Sequence, residues 1–125
     1  PMPRARLGTF PTEAELSVSS MNCFWTALNF FRAEPEPSFG DPETALRAIA
    51  EDYVEVPPGE ARFGDIFTWP NTAGRAVHAA VYIADDVFFT RNGFVSVRPF
   101  VLMSRADLDD RYPDGPPRAH RRRAL

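Results

Sequence analysis

A chain of 125 residues with 44% hydrophobic, 13% aromatic and 25% charged residues has the balance of one globular domain, large enough to bury a core without covalent staples. Its formal net charge of −3 is too mild to point to a polyanionic partner, and its single cysteine excludes an internal disulfide. No apolar run approaches the roughly 20 residues of a membrane-spanning helix, and nothing near Met2 reads as a signal core.

Residues 1–16 carry Pro1, Pro3, Pro11 and Gly8 without periodicity and read as an extended lead-in. Phe24, Ala27, Leu28 and Phe31 then recur at helical spacing, which predicts a helix from about Asn22 to Arg32. Glu34-Pro35-Glu36-Pro37 breaks it. Asp41-Pro42 supplies an N-cap followed by proline at the first helical position, opening a second helix that runs to about Asp52 and buries Ala45, Leu46 and Ile49. From Asp65 the pattern changes to short β-branched and aromatic runs at 65–69, 77–84, 87–91 and 94–98, with turns at Asp85-Asp86 and Asn92-Gly93. Ser104-Arg105-Ala106-Asp107 resembles a capping box and predicts a short helix to Asp110 or Arg111. Residues 113–125, rich in Pro, Gly and Arg, read as a flexible tail to a single domain over 1–112. Helices first and antiparallel strands after predict an α+β domain.

Chemistry centres on Cys23, where a polar stretch gives way to the first helix. Unpaired N–H groups at a helix start favour thiolate over thiol. His78 opens a strand-like run and is a candidate base. A three-residue hairpin loop at 84–86 would set His78 across from Asn92 and Ala80 across from Thr90, so either Asn92 or Thr90 is placed to orient the imidazole. A two-residue loop would turn both to the other face. Asn92 has an equal explanation as a turn former, and Asn22 reads as a helix cap more readily than as a donor at the site. Trp25 and Trp69 are candidates for a substrate cleft or for the core. Asp65 reads as a strand-start device, and Asp85 and Asp86 as turn formers.

Asn22-Cys23 opening a helix, then Gly64-Asp65-Ile66-Phe67-Thr68-Trp69, then His78-Ala79-Ala80-Val81-Tyr82-Ile83, resembles the NlpC/P60 group of papain-like cysteine peptidases and amidases. The resemblance implies a papain-like fold with N-terminal helices packed on a small antiparallel sheet. It also implies acyl transfer on a peptide or other amide substrate. Cys23 would be the nucleophile, His78 the base, Thr90 or Asn92 the third residue, and Asn22 an oxyanion donor. Thr90 stands where the group often has His, and the usual Ser-Gly after the nucleophile is replaced by Phe24-Trp25. Those departures motivate the alternative of a non-catalytic papain-fold domain that binds a protein or peptide partner. No cofactor is expected. Cys23, His78 and His120 are too scattered for a metal site, and neither nucleic acid nor membrane is an expected partner, the basic run at 120–123 reading as solvated tail.

Overall fold

The computed structural model describes residues 23–91 and 100–123. Helix α1 (Cys23–Leu28) is wholly buried and shorter than the predicted span. Asn29, fully buried, ends it by clamping the following loop: its Oδ1 accepts from Glu36 N–H at 2.7 Å and its Nδ2 donates to Glu36 O at 3.2 Å. A buried amide that finds a donor and an acceptor in one loop residue meets its hydrogen-bonding needs without water. Helix α2 (Pro42–Asp52) begins as expected, Asp41 accepting from both Thr44 N–H and Thr44 Oγ1, and it buries Ala45 and Ile49.

Among the described residues six strands follow: β1 (Tyr53–Val56), β2 (Ile66–Pro70), β3 (Ala76–Ala84), β4 (Val87–Thr90), β5 (Val101–Ser104) and β6 (Arg118–Arg122). They form one open antiparallel sheet in the order β1-β6-β2-β3-β4-β5. Helix α3 (Arg105–Arg111) is capped by Ser104 Oγ, which accepts from Asp107 N–H. The domain is α+β, with few helices around an open six-stranded antiparallel sheet. No helix among the described residues is long and apolar enough to cross a membrane.

The predicted flexible tail requires correction. Residues 118–122 are β6, lying between β1 and β2 with Ala119 paired to Phe67 and His120 to Ile66. Its sequence, Arg-Ala-His-Arg-Arg, has little strand propensity of its own; the strand exists because two neighbours supply its hydrogen bonds and Ala119 reaches the core. The predicted strand at 94–98 and the turn at Asn92-Gly93 lie outside the described residues.

The β3–β4 turn reconciles the two registers that the sequence left open. Asp85 and Asp86 make a two-residue turn, with Asp85 at φ 53°. An irregularity between Tyr82 and Ala84 then shifts the ladder so that Val81 faces Phe89 and Tyr82 faces Phe88, the pairing expected of the longer loop.

Because strand residues alternate in direction, the sheet separates two cores. Ile66, Ala79, Val81 and Phe89 pack against α1 and α2. Phe67, Trp69, Ala80 and Phe88 pack on the opposite side with Leu108 of α3 and Tyr112.

Candidate functional site

Cys23 stands at the start of α1, 4% exposed, in the core on the α1 and α2 side. Burial pushes its thiol up to about 11, against the downward pull of the backbone N–H groups of Ala79, Phe24 and Cys23 itself and of the nearby Arg91 guanidinium. At neutral pH the sulfur is a protonated, enclosed thiol.

His78 is on the other side. It precedes Ala79 on β3, and consecutive residues of a strand point to opposite faces. Its ring stacks on Tyr112, centroids 4.1 Å apart and planes 13° apart, and lies 6.0 Å from the Trp69 indole. Its Nε2 is 3.0 Å from Thr90 Oγ1, and that hydroxyl is 3.0 Å from Ala79 O. The one hydroxyl thus ties the imidazole to the β3 backbone, whichever of its two partners takes its proton. The structure thus brings His78 together with Thr90 and Trp69, and sets it apart from Cys23 by the thickness of the sheet.

Trp25 is 2% exposed in the core around Cys23, while Trp69 is fully buried and donates its indole N–H to Asp109 Oδ1 at 2.9 Å. Both are enclosed by protein and do not line an open cleft, because large rings at the inward positions of a helix and a strand are what fill these two cores. Asn22 and Asn92 lie outside the described residues.

Burial, reinforced by Arg111, pushes the His78 pKa from 6.5 down to about 3. The unfolded chain takes up a proton that the fold refuses, so this contribution to stability is complete above pH 6.5 and is lost as pH falls from there towards 3, at up to about 1.4 kcal/mol per pH unit. Urea denaturation across that window should show a flatter pH dependence for His78→Gln than for the parent. Equal slopes would contradict the geometry.

Two features escaped the sequence. Asp65, its side chain 4% exposed, holds Arg121 in a fork, Nε to Oδ1 at 3.1 Å and Nη2 to Oδ2 at 2.9 Å, while also accepting from Arg62 N–H. A groove of about 660 Å³ lies on the α2 side of the sheet, over β1, β6 and β2. Leu46, Ile49 and Tyr53 form one wall, Thr68 and His120 the floor, and Arg75 and Arg118 stand with Glu55 among the lining residues. Neither Cys23 nor His78 lines it. No motif announced it, since its charged members come from segments that read as connector and tail.

No family model, curated protein or solved structure matches this chain. Its chemistry must be judged from the side chains themselves. Among the described residues no group of three or more His, Cys, Asp or Glu is placed to hold a metal ion.

Proposed function

We propose that this chain is a non-catalytic domain of papain-like type that binds a peptide or protein partner through the groove beside α2. The observation that carries this reading is the placement of Cys23 and His78 on opposite faces of one sheet. A thiol hydrolase needs the base within hydrogen-bond reach of the sulfur, directly or through one water. Here the imidazole is held by Thr90 and Tyr112 on the far face of the sheet from the sulfur, and the thiol is enclosed. The groove, by contrast, is open, and its volume of about 660 Å³ falls within the roughly 300–1,000 Å³ typical of ligand sites. Acyl transfer at Cys23 has the three backbone N–H groups around its sulfur in its favour and the intervening sheet against it.

Iodoacetamide labelling across pH separates the two. The folded protein is expected to remain unlabelled below pH 8.5 while the urea-unfolded chain reacts at the ordinary thiol rate. Labelling of the folded protein near pH 6, together with peptide hydrolysis that Cys23→Ala abolishes, would overturn the binding reading.

A further inference from the structure

The groove is asymmetric in a way that selects its occupant. One wall is aliphatic, contributed by Leu46, Ile49 and Ala50 of α2 and completed by the Tyr53 ring. Burial raises the Tyr53 phenol, so it stays neutral. Burial also lowers His120, so the floor pair, His120 Nε2 and Thr68 Oγ1 at 3.0 Å, is polar but uncharged at neutral pH. That leaves Arg75 and Arg118 as the lining cations and Glu55 as the lining anion, an excess of one positive charge.

Both guanidiniums have carboxylate neighbours that a ligand can replace. Arg75 pairs with Glu43, which lies outside the groove lining, and Arg118 is 3.8 Å from Glu55. The second pair is long and its side chains are 70% and 56% exposed, which marks a contact worth little on its own. An incoming carboxylate gains a two-point fork on a guanidinium, a stronger contact than that loose pair. Glu55, relieved of Arg118, becomes an acceptor facing the groove.

We infer that the groove takes the free carboxyl end of a peptide whose last side chain is apolar. The carboxylate sits on Arg118 and Arg75, the last side chain lies against Leu46, Ile49 and Tyr53, and Glu55 accepts a backbone N–H of the incoming chain. A fatty acid satisfies the arginines and the wall, and Thr68 and His120 keep each other as partners, but it leaves Glu55 against methylenes with no donor. The peptide supplies that donor from its backbone. This assignment rests on the binding reading above and narrows it to one end of one kind of chain.

The test is isothermal titration calorimetry on the whole chain with acetyl-Ala-Leu, its C-terminal amide, and octanoate. The acid peptide should bind, with the amide and octanoate each at least about tenfold weaker, since about 1.4 kcal/mol of charge-assisted contact is a factor of ten. Arg118→Gln, a change at an exposed strand position, should weaken the acid peptide by about tenfold and leave the amide unchanged. Cys23→Ala should leave all three titrations unaltered. Equal binding of acid and amide, tighter binding of octanoate, or no heat from the acid peptide would overturn the assignment. Turnover of the peptide by the parent chain but not by Cys23→Ala would instead overturn the binding reading itself, so the two failures are distinguishable.

Discussion

A chain truncated after Tyr112 should lose its cooperative unfolding transition. Removing β6 strips β1 of its sheet partner and opens the edge of β2, since β6 is the strand between them. It also withdraws Ala119 from the core beneath Phe67 and leaves the Asp65 carboxylate, 4% exposed, without Arg121. Unpaired strand edges and a buried charge without its partner are each costly. Together they take up much of what a small domain holds in reserve, which is about 5–15 kcal/mol in total. Thermal melting followed by circular dichroism should show a broad, uncooperative change for the truncated chain. A sharp transition within a few degrees of the intact chain would show that β6 is dispensable.

Asp65→Ala should destabilise the domain by about 3 kcal/mol, the lower end of the cost of breaking a buried ion pair. The lower end applies because the Arg121 side chain left behind is 29% exposed and recovers part of its hydration. Asp65 also accepts from Arg62 N–H, within the turn at Gly64, whose φ of +91° suits glycine and against which the Phe31 ring packs. Asp65→Asn keeps an oxygen for that N–H and should cost roughly half as much. Urea denaturation of the two variants measures both values, and a loss below about 1 kcal/mol for Asp65→Ala would mean that the fork with Arg121 is an ordinary surface contact.

What could be read from the sequence was local. Asp41-Pro42 and Ser104 through Asp107 are start signals whose partners lie within three residues, and both helices begin where those signals stand. The β3–β4 hairpin was legible from Asp85-Asp86, but its register was not, since an irregularity between Tyr82 and Ala84 restores the pairing that a two-residue turn alone would shift. What could not be read depends on distant partners. Tyr53-Val54-Glu55-Val56 has strand-forming residues but only four of them, and the arginine-rich segment at 118–122 has little strand propensity, yet β6 pairs with β1 on one side and β2 on the other. The same limit governs the candidate site. Sequence order puts a cysteine on a helix before a histidine on a strand, but the face that histidine occupies depends on the parity of the β2–β3 ladder, in which Trp69 opposes His78 and the register breaks beside Val77. One residue of register decides between neighbour and stranger.

The position of β6 also governs the order in which the molecule can be made. During synthesis β1 and β2 leave the ribosome well before residues 118–122, and each then presents an unsatisfied edge to the cell. The nascent chain cannot finish its sheet until that late segment has emerged, so the domain is expected to fold in a last concerted step and to be most prone to association with other chains just before it.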